Sequence, residues 1–138
     1  MDAKDYLMSL RHIETRIKNM SEELQKYNDM ATNISARMDG ERVQTSINGD
    51  KLSMAIAKIV DLEKEIYDEI ERLGKVRADI IKTIDSLERP AQRDILYMRY
   101  INHMTFEQIA VEINKSWRHT LRLHGYALKN FSKKMKKD

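Results

Sequence analysis

Apolar side chains recur along residues 3–38 at alternating steps of three and four residues. They are Ala3, Tyr6, Leu10, Ile13, Ile17, Met20, Leu24, Tyr27, Ala31, Ile34 and Met38. A seam of this period, kept for about five heptads, is typical of helices that pack as a coiled coil. At about 1.5 Å per residue, a helix that carries the whole seam would be roughly 50 Å long.

A second stripe with the same spacing begins after a break. Residues 39–50 contain the turn signal Asn48-Gly49, which predicts a loop, and Asp50 is suited to cap the next helix. The second stripe comprises Leu52, Ile56, Ile59, Leu62, Ile66, Ile70, Leu73, Val76, Ile80, Ile84 and Leu87. Glu63 and Arg77 occupy strict seam positions, so this stripe drifts and is wider than the first. Two such stripes predict an antiparallel helical hairpin, formed within one chain or between two helices that pair across a dimer.

The last third of the chain carries the signals of a short helix and then a helix-turn-helix. Pro90 suits the first position of a helix over 90–102. Thr105 and Gln108 have the spacing of a capping box, which begins a helix at Phe106. Asn114 tolerates a positive φ, and Ser116 is a good N-cap for a second helix. This layout favours a helix-turn-helix, whose second helix enters the major groove of DNA.

The spacing in this second helix separates an inner from an outer face. The inner face comprises Thr120, Leu123, Ala127, Leu128 and Phe131, and the outer face comprises Trp117, Arg118, Leu121, Arg122 and Gly125. Arg118 and Arg122 are the natural base readers, because a guanidinium can bond O6 and N7 of guanine together. The candidates for phosphate contact are Lys115, Ser116, His119, Lys129, Lys133 and Lys134.

Charge divides the chain in the same way. Residues 1–87 hold 14 Lys and Arg against 17 Asp and Glu, whereas residues 88–138 hold 11 against 5. With only four glycines and one proline, an all-α protein is expected. The sequence predicts a helical hairpin or coiled coil over 1–87 that mediates oligomerisation. It predicts a C-terminal DNA-binding helix-turn-helix domain with a basic tail over 88–138.

The segment LERPAQRDILYMRYINHMTFEQIAVEINKSWRHTLRLHGYALKNF resembles region 4 of bacterial sigma factors, the domain that reads promoter DNA. The resemblance implies that Trp117, Arg118, Leu121 and Arg122 face the bases. With the long helical segment before it, the chain is similar to small regulators of phages of Gram-positive bacteria, the ArpU-like and RinA-like late-transcription regulators. That resemblance implies double-stranded DNA as a partner, RNA polymerase as a further one, and the cytoplasm of a bacterial host.

Several kinds of chemistry find no support in the residues. The chain has no cysteine, no run of about 18 apolar residues and no basic-then-apolar leader. His119 and His124 are five apart and do not share a helix face, so no metal site is expected. Neither a catalytic motif nor a cofactor-binding motif is present, and we expect no enzyme, no cofactor and no membrane partner.

The expected function is therefore a sequence-specific transcription regulator that binds DNA as a homodimer through its helical segment. Paired half-sites about 34 Å apart, or a multiple of that, would follow from a dimer. Two alternatives remain open at this point: a phage small terminase subunit, which would form a large ring, and a sigma-like module that binds a protein and not DNA.

Overall fold

The computed structural model describes residues 2–38 and 45–137. These residues form helices and no strands, as the all-α prediction requires. The helices are α1 (Ala3–Met38), α2 (Thr45–Asp85), α3 (Pro90–Leu96), α4 (Phe106–Ile113) and α5 (Trp117–Lys137), and a π-helical turn (Tyr97–Ile101) extends α3. None of the helices among the described residues is both long and apolar enough to cross a membrane.

One compact unit comprises Met1–His12 and Leu73–Asp138. Its core brings the first turns of α1 and the last turns of α2 together with α3, α4 and α5. The core residues exposed by 5% or less are Ala3, Leu7, Leu10, Ile80, Ile84, Leu87, Ile95, Leu96, Tyr100, Ile109, Ala127 and Phe131. The Tyr6 hydroxyl donates a hydrogen bond to Asp79, which joins α1 to α2 inside this unit. The helix-turn-helix therefore shares its core with both ends of the helical segment.

The second compact unit comprises Ile13–Arg72. Here α1 and α2 lie beside each other in one chain: the Arg16 guanidinium is 3.6 Å from the Glu69 carboxylate, and Ile34 lines the same groove as Ala55. Along α1, the predicted seam residues from Ile13 to Met38 are all buried or half-buried. The described residues thus form the hairpin within a single chain, one of the two arrangements that the heptad spacing allowed.

The predicted loop over 39–50 differs from the structure in its second half. Residues 39–44 lie outside the described residues, and Thr45–Asp50 form the first turns of α2. Asn48 is only 7% exposed, and the Met38 side chain lies 4.0 Å from where a Cβ on Gly49 would stand. Packing of these turns against the end of α1 outweighs the turn preference of Asn48-Gly49. Within a helix, the glycine costs only about 1 kcal/mol relative to alanine.

The predicted seam of α2 also needs a correction. Ile56 and Ile70 were assigned to it, yet they are 49% and 51% exposed. Ala55, 3% exposed, and half-buried Glu69 face α1 in their place, and Leu62 lies between them at 6% exposed, as predicted. At these two positions the seam lies one residue earlier, because small Ala55 and the ion-paired Glu69 face α1 where an apolar count selects Ile56 and Ile70. The other predicted seam residues of α2 are buried or half-buried. The two compact units divide the chain after residues 12 and 72. The domain boundary predicted between residues 87 and 88 stays a prediction.

Candidate nucleic-acid interface

Helix α4 begins at a complete capping box. The Thr105 hydroxyl oxygen accepts a hydrogen bond from the Gln108 backbone N–H at 3.1 Å, and the Gln108 side-chain oxygen accepts from the Thr105 N–H at 2.9 Å. Two amide donors that the helix start would leave without partners are thereby satisfied. The cap predicted from the spacing of these two residues is confirmed.

The turn between α4 and α5 is a Schellman motif built on Asn114. Asn114 adopts the left-handed conformation, with φ 56° and ψ 47°. The Lys115 N–H donates to the Ala110 carbonyl at 3.0 Å, and the Asn114 N–H donates to the Val111 carbonyl at 3.2 Å. These two bonds close the last turn of α4 and reverse the chain within two residues.

Helix α5 is started by Ser116. Its hydroxyl oxygen accepts from the His119 N–H at 3.0 Å, and its carbonyl accepts from the Thr120 N–H at 2.9 Å. The Thr120 hydroxyl donates to the same carbonyl, also at 2.9 Å, and Thr120 is fully buried. Both the hydroxyl and the carbonyl of Ser116 therefore stabilise the first turn of α5.

The inner face of α5 packs largely as the spacing predicts. Thr120, Ala127 and Phe131 have no exposed surface, and Leu123 and Leu128 are half-buried against the core. On α4, Ile109 is fully buried and Ala110 is 8% exposed. Because a small side chain at position 110 leaves room, the two helices can approach closely.

His124 is a buried polar residue that the sequence analysis did not assign to the core. It is 8% exposed, its Nε2 lies 2.7 Å from the Tyr100 hydroxyl, and its ring meets that of Phe106 edge-on at 4.8 Å. Burial, with smaller contributions from the charges of Arg99 and Lys4, lowers the pKa of His124 to about 4. Its position, four residues after Thr120 and three before Ala127, would have placed it on the inner face.

Arg99 and Tyr100 lie on the π-helical turn and contact Phe106 and His124, respectively. The Arg99 guanidinium lies 4.3 Å from the centre of the Phe106 ring and donates to the Met104 carbonyl at 3.0 Å. Burial raises the pKa of Tyr100 to about 12, although the nearby Arg99 lowers it. The phenol therefore keeps its proton, and it is hydrogen-bonded to the neutral imidazole of His124.

Three of the four residues predicted to read bases lie open on α5. Trp117 is 53% exposed, Arg118 and Arg122 are exposed, and Leu121 is half-buried. Arg118 and Arg122 stand about 6 Å apart along the helix and on one face. Tyr126, which the sequence analysis left out, is 57% exposed one turn further on.

The predicted phosphate contacts fall into two groups. Lys115, Ser116 and His119 are exposed around the start of α5. Lys129 is exposed further along the helix, whereas Lys133 and Lys134 line a cavity of about 210 Å³ with Leu87, Glu88, Arg89, Gln92 and Asn130. The structure thus brings the first group together beside Trp117 and Arg118 and places the last two lysines at the other end of α5.

Residues 85–132 match the family model of Sigma-70, region 4. This segment, about a third of the chain, contains α3, α4 and α5 as far as Ser132. Region 4 is a family of regulatory DNA-binding domains and not of enzymes. The helix-turn-helix is therefore of the sigma region 4 type, which supports a DNA-binding regulator in general terms. The chain matches no curated protein and no solved structure.

Among residues 2–38 and 45–137, no three His, Asp or Glu side chains stand close enough to hold a metal ion.

Proposed function

We propose that the protein is a sequence-specific transcription regulator of phage or prophage type, which reads double-stranded promoter DNA through the first two turns of α5. The observation that carries the proposal is the exposure of Trp117, Arg118 and Arg122 on a helix whose start is fixed by caps on both sides of the turn. The match to region 4 supports it, because the exposed residues lie within the matched segment.

Arg118 and Arg122 take the role of base readers. Each guanidinium can donate two hydrogen bonds to one guanine in the major groove, worth about 1–3 kcal/mol of discrimination per pair. Trp117 supplies an aromatic surface at the N-terminal end of the same helix, and Leu121 supplies apolar contact to a thymine methyl group.

The cations around the start of α5 take the role of phosphate contacts. Lys115 and the N–H-rich first turn of α5 lie beside the base readers, where a backbone phosphate is expected when the helix enters the groove. Lys129 stands on the same side of α5 as Arg118 and Arg122, about three turns from the first of them. These contacts add affinity without sequence information and make binding sensitive to salt.

The test is fluorescence anisotropy on duplexes tiled across the DNA that flanks the gene, over a salt series. We expect one tile to bind more tightly than the others at 0.15 M salt, and R118A to lose about 1–3 kcal/mol on that tile alone. R11A is the matched control, because Arg11 is an exposed arginine on α1. Equal binding of all tiles, or equal losses for both variants, would contradict base reading.

Contact with RNA polymerase forms the second part of the proposal, and the outer face of α4 is the surface for it. Val111 is 81% exposed, and Glu107 and Glu112 are exposed around it. An acidic face with an apolar centre repels phosphate but suits a protein partner. Purified polymerase should retain the wild type and R118A but not V111K. If V111K is retained equally, this face plays no part.

The same face favours a second candidate function, a module that binds a protein and not DNA. It would show polymerase retention that depends on Val111 together with no duplex binding at any salt concentration tested.

A further inference from the structure

A cavity of about 210 Å³ lies between the start of α3 and the last turns of α5. Its lining includes Lys134, which stands roughly 24 Å further along α5 than Arg118. The DNA contacts proposed for Arg118, Arg122 and Lys129 do not involve this cavity. Its residues are therefore available for a second kind of ligand.

Gln92 brings amide N–H groups to the cavity that it lines. The residue is only 4% exposed, and its side-chain oxygen accepts a hydrogen bond from the Asn130 side-chain amide at 2.7 Å. Within residues 2–38 and 45–137, nothing accepts from the Gln92 side-chain nitrogen, and this nitrogen is not sealed in the core. Because a buried donor without an acceptor is unfavourable, these N–H groups indicate a ligand that carries acceptor atoms.

Three cations line the same cavity: Arg89, Lys133 and Lys134. Among the residues that the structure describes, none forms an ion pair with them. Glu88 also lines the cavity, so three positive charges and one negative charge give the lining a net charge of +2. Neighbouring cations without a counter-charge repel one another, and a bound anion would remove that repulsion.

The walls of the cavity are held in place by contacts within the chain. The Arg93 guanidinium donates to the Leu87 carbonyl at 2.6 Å and to the Glu88 carbonyl at 3.3 Å. The Leu87 side chain is 2% exposed in the core, and the bond between Gln92 and Asn130 joins α3 to α5. A site that is formed in advance loses less conformational freedom when a ligand binds.

We propose that this cavity binds a dianionic phosphate group, either inorganic phosphate or the terminal phosphate of a small phosphomonoester. The Gln92 N–H groups donate to the phosphate oxygens, and the cations of the lining balance its charge. The cavity has room for the five heavy atoms of the group and for water beside them.

Charge separates this ligand from the DNA backbone. A phosphomonoester carries about 1.5 to 2 negative charges at neutral pH, which matches the net charge of the lining. A backbone phosphodiester carries one negative charge. The cavity is therefore suited to a free phosphate ligand, bound at the end of α5 that lies away from the base readers.

Isothermal titration calorimetry on the full chain without DNA tests the site. Inorganic phosphate is the probe, in chloride buffer at constant ionic strength. We expect one phosphate bound per chain, and at least about tenfold weaker binding of dimethyl phosphate, a monoanionic diester. No binding of phosphate, or equal binding of dimethyl phosphate, would overturn the proposal. Comparison with a nucleoside 5′-monophosphate identifies the source, because the natural class of ligand is the one that binds more tightly.

Two variants assign the binding to this cavity. Q92E keeps an oxygen for the hydrogen bond from Asn130 but replaces the N–H donors, and K134M keeps the length of half-buried Lys134 without its charge. Each should weaken phosphate binding at least about tenfold while circular dichroism stays unchanged. K134M decides alone if Q92E does not fold.

K129M is the matched control, because Lys129 is an exposed lysine of the same helix that does not line the cavity. It should bind phosphate as the wild type does. Unchanged binding by K134M, or an equal loss in K129M, would contradict the assignment to this cavity. Because no DNA is present, these outcomes are independent of whether the protein reads a promoter.

Discussion

A hydrogen bond of 2.7 Å joins the Tyr100 hydroxyl to His124 Nε2, inside the core that supports the helix-turn-helix. The bond connects the π-helical turn to the middle of α5. It therefore fixes the helix that carries Arg118 and Arg122 from behind.

Acid should destabilise the fold through His124. The pKa is about 4 in the folded protein against 6.5 for the free side chain, so the unfolded chain binds the proton first as the pH falls. Above pH 6.5 the ring is neutral in both states, and the free energy of unfolding keeps its full value. Between pH 6.5 and 4 the free energy of unfolding falls by about 3 kcal/mol. Urea unfolding across that range measures it. In H124Q this part of the pH dependence should disappear; an unchanged fall would assign it to other groups.

Replacing Tyr100 by phenylalanine should cost about 1–3 kcal/mol at pH 7, because His124 Nε2 then stays buried without its hydrogen-bond partner. The free energy of unfolding, from urea titration, is the measurement. Y97F is a close control, since Tyr97 is 36% exposed three residues earlier and its loss should change stability by less than about 0.5 kcal/mol. Equal effects of the two variants would mean that the hydrogen bond contributes nothing.

The turn at Asn114 gives two opposite substitutions. N114G should leave stability unchanged or raise it, because glycine adopts a φ of 56° without strain. N114V should lower the free energy of unfolding by about 1–2 kcal/mol, since a β-branched residue resists that conformation. Thermal unfolding of both proteins is the measurement. A loss of stability in N114G as large as that in N114V would mean that the Asn114 side chain, and not its backbone conformation, stabilises the turn.

Ala110 and Val111 are neighbours on α4 with opposite surroundings. A110L should destabilise the protein by about 1–3 kcal/mol, because Ala110 is 8% exposed and the larger side chain would push α5 away. V111L, at a site 81% exposed, should change stability by less than about 0.5 kcal/mol. Urea unfolding of A110L and V111L is the measurement. If A110L is as stable as V111L, the packing between α4 and α5 is looser than the burial of Ala110 indicates.

Trp117 is the single tryptophan of the chain, and it is 53% exposed. When the start of α5 enters a groove, its emission should shift to shorter wavelength or be quenched, and the change should saturate at the stoichiometry of binding. An anisotropy titration of W117F on the same duplex is the companion measurement. Binding without any change in emission would place Trp117 outside the interface.

The helix-turn-helix was predictable from the sequence because local rules determine most of it. The capping box at Thr105, the positive φ at Asn114 and the cap at Ser116 each depend on residues within a few positions, and the structure confirms all three. The inner face of α5 followed from helical spacing. The DNA contacts assigned to Arg118 and Arg122 stay a prediction, because exposure alone does not show what binds.

What the sequence missed depends on contacts between distant residues. Asn48-Gly49 is a turn signal by itself, yet packing beside Met38 makes it helical. Ile56 and Ile70 fit a heptad count, but small Ala55 and the ion-paired Glu69 face α1 in their place. The bond between Tyr100 and His124 spans 24 residues, and no periodic pattern indicates it.

Leu7 and Phe131 belong to the same core cluster, and this has a consequence for the synthesis of the chain. The first turns of α1 leave the ribosome early, but their core partners in α5 are among the last residues to be made. Contacts of such long sequence separation cannot form until translation has nearly ended. The unit that contains the helix-turn-helix is thus a late product of folding: a chain that stops short of Phe131 presents Leu7 and Leu10 without the cluster that buries them.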